Sequence, residues 1–371
     1  MKKIIENVIP PASGAMVSSL CSCLSSLLLS QKRSALDTRN AVKQMSQMYD
    51  WTLTASGLAF GYIYKEKIKS SFDKTEYYSA YDEEWIKFAL NFGKCHYRII
   101  PSVSSDLTNE IINSIDRNIP VLADGLCNHS WCLITGYDDK GQTLYGYYTV
   151  CANCSPCANC VKTKIDGHLE NGIFYKTNWM SSLKRIIVID DFKAEPYDYR
   201  SYLTHWISII QQQSRNGFKF GVEAYDAIIH LLEDDAAFEN ATEQELIEIY
   251  KFVFTNSFIP ECRHCLGMGL SDSSKRKALL DHMGFSKLSS PEMHDKMRVI
   301  KGKGFEMHNV GWSYWAALSD KKVYPMEVTK YFNQIKSHSR RMKAVTLLQE
   351  LKEKDKFIMN CLKEILESKT L

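Results

Sequence analysis

The spacing of apolar residues changes character once along the chain. In the N-terminal half it mixes two periods. Leu20, Leu24, Leu27 and Leu28 recur at helical spacing inside AMVSSLCSCLSSLLLS, which predicts a helix over 16–30 with a one-sided leucine stripe. Residues 51–64 end in LAFGYIY and read as aromatic strand or turn, with Gly57 and Gly61 allowing bends. AYDEEWIKFALNF over 80–92 predicts a second helix stopped by Gly93, and CHYRII a short strand ending at Pro101. Asp106 is placed to cap the helix DLTNEIINSIDRN. Three strand-like runs follow, PVLAD, HSWCLITGYD and QTLYGYYTV, and the turn Asp138-Asp139-Lys140-Gly141 joins the last two into a hairpin. LKRIIVID closes this half as a further strand. Helix first and antiparallel strands after it give an α+β order.

Beyond about residue 195 the period is helical. Residues 202–213, 222–233, 243–254 and 342–367 predict long amphipathic helices, and Thr242 with Glu245 fits a capping box at the head of the third. The neighbourhood of Glu195-Pro196 therefore reads as a boundary between an α+β domain over 1–195 and an all-α helical domain over 196–371. Within the first, residues 149–170 show neither period and form a cysteine-rich insertion. Lys301-Gly302-Lys303-Gly304 lacks the spacing of a phosphate loop and reads as an exposed turn, and Ser339-Arg340-Arg341 as a solvated helix start.

Composition narrows the function classes. With 371 residues, 45% hydrophobic and 24% charged, the chain can bury a large core and is neither disordered nor fibrous. Forty-six basic against forty-three acidic side chains leave a charge of +3, too little for the single-sign field of a nucleic-acid binder. No run of about eighteen apolar residues predicts a membrane span. Lys2 and Lys3 stand before an apolar stretch that starts late, after Glu6 and Pro10-Pro11, and is diluted by serine, which argues against a secretion signal. The expected home is a reducing cytoplasm, where thiols stay free or bind metal.

Two groups of residues carry candidate chemistry. A cysteine nucleophile needs a lowered pKa, and the first turn of a helix supplies N–H groups and the positive dipole end that favour thiolate. Cys21 stands at the head of the leucine stripe, where it meets that requirement or serves as a small buried filler beside Cys23. His129 precedes the strand run SWCLITGYDD, so a base can project from a sheet edge toward a helix head. An early helical cysteine with a histidine far downstream on a strand is the chain order of papain-like thiol enzymes.

The second group is CANCSPCANC: Cys151, Cys154, Cys157 and Cys160. Four thiols in ten residues of short loop can converge on one cation. Zinc accepts C-x2-C pairs, and a second pair stands at Cys262 and Cys265 in the helical half. An iron–sulfur cluster is the alternative ligand, although the last spacing is one residue short of the bacterial ferredoxin run; unliganded or disulfide-forming thiols are the third.

The run IPVLADGLCNHSWCLITGYDDKGQTLYGYY, with LAFGYIY before it, resembles the butirosin biosynthesis protein H family, whose N-terminal domain is similar to the papain-like peptidases that process bacteriocins. FGVEAYDAIIHLLED and LLQELKEKDKFIMNCLKEIL resemble the helical partner domain of that family. The resemblance implies a papain-like fold, Cys21 or else Cys23 as acyl-accepting nucleophile, and His129 as general base. It implies acyl transfer in natural-product biosynthesis, from an acyl carrier protein or other acyl thioester to a small-molecule amine, or hydrolysis of an amide such as a peptide, with no organic cofactor. One position departs. Where the family pattern places an aspartate, the chain reads Gly146-Tyr147-Tyr148-Thr149, so the group that orients His129 is left among Asp138, Asp139 and Tyr148. The competing expectation is a papain-like scaffold without catalysis, held by a cysteine-bound metal.

Overall fold

The computed structural model describes residues 2–11, 18–31, 41–60, 63–65, 83–127, 130–148, 165–169, 173–211, 218–255, 259–270, 280–281, 283, 285, 291–319 and 332–368. Their strands are β1 (Lys3–Ile4), β2 (Ile63–Lys65), β3 (His96–Pro101), β4 (Val121–Cys127), β5 (Ser130–Asp138), β6 (Thr143–Tyr148), β7 (Gly167–His168), β8 (Phe174–Lys176), β9 (Arg185–Asp191) and β10 (Phe218–Phe220). The helices used below are α1 (Ser19–Gln31), α2 (Ala41–Ala55), α3 (Glu83–Phe92), α4 (Leu107–Asp116), α5 (Tyr199–Gln211), α6 (Gly221–Glu233), α7 (Asp235–Glu239), α8 (Glu243–Thr255), α9 (Ile259–Gly269), α10 (Pro291–Leu318) and α11 (His338–Glu367). The chain forms two compact units, Met1–Ser56 with Ile86–Pro196 and Gly57–Trp85 with Tyr197–Leu371. A segment from the N-terminal half is thus built into the second unit.

The first unit is mixed α and β around one antiparallel sheet of order β3-β9-β4-β5-β6-β8-β7, with β1 paired to β5. Side chains alternate between the two faces of a strand. Val121, Ala123, Cys132, Ile134, Ile186 and Val188 form one buried face with Leu107, Ile111 and Ile115 of α4. Leu122, Leu133 and Ile187, one residue out of step, are equally buried on the other face, where α1 packs on β5. The β5–β6 hairpin closes at Asp138↔Thr143 through the expected turn, with the Asp138 carboxylate accepting from the Asp139 N–H at 2.9 Å. Asp106 stands at the head of α4, but its carboxylate accepts from the Asn109 side chain at 2.8 Å instead of capping the backbone.

The helix predicted over 16–30 is α1, and it is not one-sided: every residue from Ser19 to Leu29 is buried. Serine makes this possible. Ser25 and Ser30 return their hydroxyls to the carbonyls of Cys21 at 2.6 Å and Ser26 at 2.7 Å, so a polar face needs no water.

Among its described residues the second unit is helical apart from the two-stranded pairing of β10 with β2. The capping box at α8 is complete: Glu245 Oε2 accepts from the Thr242 N–H and hydroxyl, both at 2.8 Å, and Thr242 Oγ1 accepts from the Glu245 N–H at 3.3 Å. Two expectations are corrected. Lys301–Gly304 lies inside α10, because a Cβ on Gly304 would stand 2.9 Å from the Arg263 carbonyl, and only glycine lets α9 and α10 approach so closely. Arg341 is buried, donating to the carbonyls of Leu232, Ile335 and Lys336 and to Asp235, with its guanidinium over the Phe238 ring. Four acceptors replace the water that a solvated helix start would have supplied.

Candidate functional site at the head of α1

Ser18 makes the first turn of α1. Its carbonyl accepts from the Ser22 N–H at 3.2 Å, and its hydroxyl accepts from the Cys21 N–H at 3.2 Å, which places Cys21 in the third helical position. The Ser18 N–H is itself held by the Tyr49 hydroxyl of α2 at 3.2 Å. Cys21 Sγ donates toward Ser56 Oγ at 3.8 Å. The thiol is fully buried, and burial pushes it up to about 11 although the hydroxyls of Ser18 and Ser56 pull it down. The helix terminus favours thiolate by at most about 2 kcal/mol, so desolvation wins and Cys21 rests as a neutral thiol.

Cys23 faces a different partner. Its Sγ donates to the Trp131 carbonyl at 3.6 Å, and burial, then Cys127 and Cys21, push its thiol further up than that of Cys21. On the same residue the Trp131 N–H donates to Ser19 Oγ at 3.0 Å. These two bonds clamp the beginning of β5 to the head of α1. His129, two residues before Trp131 in the sequence, lies outside the described residues, as do Cys151, Cys154, Cys157 and Cys160.

The three candidates for orienting His129 are not brought to this place. Asp138 ends β5, roughly 23 Å along the strand from Trp131 at about 3.3 Å per residue, and Asp139 follows it into the turn. Tyr148 pairs with Cys132, and partners directly opposite share a face, so it lies on the α4 side and packs on Phe174 with ring centroids 5.9 Å apart. The carboxylate that the register does bring beside Trp131 is Asp124 of β4, a residue the sequence reading passed over. Its signal was an acid inside the apolar run VLADGLC, where burial demands a partner. That partner is Arg185, whose Nε donates to Asp124 Oδ2 at 3.3 Å. Gly125, at φ +86°, follows in a bulge where a Cβ would meet the Ser182 carbonyl at 2.9 Å.

No family model and no curated protein matches the chain. The site is therefore read from its own geometry. Cys262 and Cys265 are buried on α9 of the second unit. Among the described residues no three His, Cys, Asp or Glu side chains converge as a metal ion requires, and no helix is long and apolar enough to cross a membrane.

Proposed function

We propose that the first unit is a papain-like, cysteine-dependent acyltransferase or amide hydrolase in which Cys21 is the acyl-accepting nucleophile and His129 its general base. The observation that supports this reading is the clamp of Ser19 and Cys23 to Trp131, which brings the capped turn holding Cys21 to the start of the strand that His129 precedes, the Cys21 thiol itself lying on Ser56. Because burial raises the Cys21 thiol, His129 is proposed to take its proton as sulfur attacks the acyl carbon. An acyl thioester, including one on a carrier protein, gives acyl-Cys21 and a free thiol; a small-molecule amine or water then releases the acyl group, and a peptide amide is split by the same steps. Asp124 is the carboxylate proposed to orient the base, in place of Asp138, Asp139 and Tyr148.

Peptide-mapped alkylation with limiting iodoacetamide tests the assignment. Cys21 is expected to be modified before Cys23, Cys95 and Cys132, all of which burial pushes up further, and His129→Ala is expected to slow it. Equal labelling of the four, unaffected by His129→Ala, contradicts it. Full burial of Cys21 supports a second reading, a non-catalytic binding scaffold stabilised by zinc or an iron–sulfur cluster on Cys151, Cys154, Cys157 and Cys160.

A further inference from the structure

Three residues stand in register across neighbouring strands on the α1 face of the sheet: Arg185 on β9, Asp124 on β4 and Trp131 on β5. Arg185 reaches across β4. Its Nε donates to the Asp124 carboxylate at 3.3 Å, and its guanidinium carbon lies 5.5 Å from the centroid of the Trp131 ring. The carboxylate thus takes one bond from the guanidinium, at Nε, and the indole lies beside one face. The Arg185 side chain keeps 24% of its surface exposed, and among the described residues nothing accepts from Nη1 or Nη2.

A guanidinium held in this way is a prepared fork. Arginine presents five N–H donors in a rigid plane that matches two oxygens of a carboxylate or phosphate, and the rotamer freedom lost on binding such a group has already been given up here. Trp131 adds a flat apolar wall beside the fork, and its backbone is the clamp to the α1 head.

We propose that Arg185, held by Asp124 and Trp131, binds an oxyanion of a small ligand, a carboxylate or a phosphate, at the end of the sheet to which the head of α1 is clamped. The inference deepens the reading of that end as the reaction site, and rests on it for the meaning of the ligand: the molecule processed at Cys21 carries an anionic group. The oxyanion lies against the Nη1–Nη2 edge, away from Asp124, whose charge keeps affinity modest and favours a group that can use both nitrogens.

Calorimetric titration of the full-length protein with inorganic phosphate and, separately, with acetate, at ionic strength fixed by chloride, tests this without turnover. Saturable one-site binding of at least one anion is expected, weakened about tenfold or more by Arg185→Gln and nearly as much by Arg185→Lys, which keeps the charge and loses the fork. A stronger response to phosphate identifies a phosphate ester, and one to acetate a carboxylate; either supports the site. Unaltered affinity in Arg185→Gln, or saturable binding of neither anion, overturns it. Should Arg185→Gln fail to fold because Asp124 is left alone, Asp124→Asn with Arg185→Gln removes both charges, and anion binding retained there overturns the site equally. Because Cys21 takes no part in the titration, binding without acylation sinks the thiol reading alone, and acylation without binding sinks this one alone.

Discussion

At the scale of single residues the question is what sets the reactivity of Cys21. The helix head and the hydroxyls of Ser18 and Ser56 favour the thiolate, burial opposes it, and burial is the largest influence. At pH 7 the thiolate fraction is on the order of 10⁻⁴ for a thiol near 11. The alkylation rate of Cys21 should therefore climb about tenfold per pH unit from neutrality and level off near pH 11. Ser56→Ala removes a group that pulls the thiol down, so its plateau should lie higher still, as mass-spectrometric labelling across pH 7–12 would record. A plateau below pH 8 in the native protein would contradict a desolvated Cys21. The sequence made Cys21 legible through its place at a helix start. It could not reveal the serine hydroxyls that fold back on their own helix, because those bonds exist only once the face is buried. Asp124 was hidden for a related reason: its partner Arg185 lies 61 residues away and meets it only through strand pairing.

At the scale of elements, local signals and long-range ones part company. The Thr242–Glu245 box was readable because its partners are three residues apart. The main polar junction of the second unit was not. Arg263 on α9 is fully buried and makes a fork to Asp355 of α11, at 3.0 and 2.7 Å, while Tyr225 of α6 donates to the same carboxylate at 2.6 Å. Nη1 and Nη2 also donate to the carbonyls of Ala59 and Phe60. Removing one charge strands the other out of water, so Asp355→Asn should cost the second unit roughly 3–5 kcal/mol in urea unfolding. Replacing the pair, Arg263→Met with Asp355→Leu, removes the stranded charge but leaves the Tyr225 hydroxyl and the carbonyls of Ala59 and Phe60 without these partners, so it should restore only part of the loss. A loss below about 1 kcal/mol for Asp355→Asn would mean that the ion pair is not buried as described.

At the scale of the whole molecule, the change of period near residue 195 is real but incomplete as a dividing line. Helical periodicity marked where the chain becomes helical; it had no means of showing that an earlier segment belongs with the helices. Ala59 and Phe60 accept from Arg263, and β2 supplies the partner of β10, all inside the second unit. A fragment of residues 197–371 should thus lose acceptors for a buried arginine and one strand of its only described pairing. It is expected to be poorly folded, with low dispersion of amide resonances, while the full chain is well dispersed. A stable, well-dispersed fragment would contradict the assignment of residues 57–85 to this unit.

The proposal that Cys21 accepts an acyl group is tested most directly by the mass of the intact protein after exposure to a short acyl thioester. One acyl increment, mapped to Cys21, lost in Cys21→Ser and formed far more slowly in His129→Ala and Asp124→Asn than in Tyr148→Phe or Asp138→Asn, is the expected result. An unmodified mass with every thioester tried, or an increment that survives Cys21→Ser, would contradict the nucleophile and leave the scaffold reading in its place.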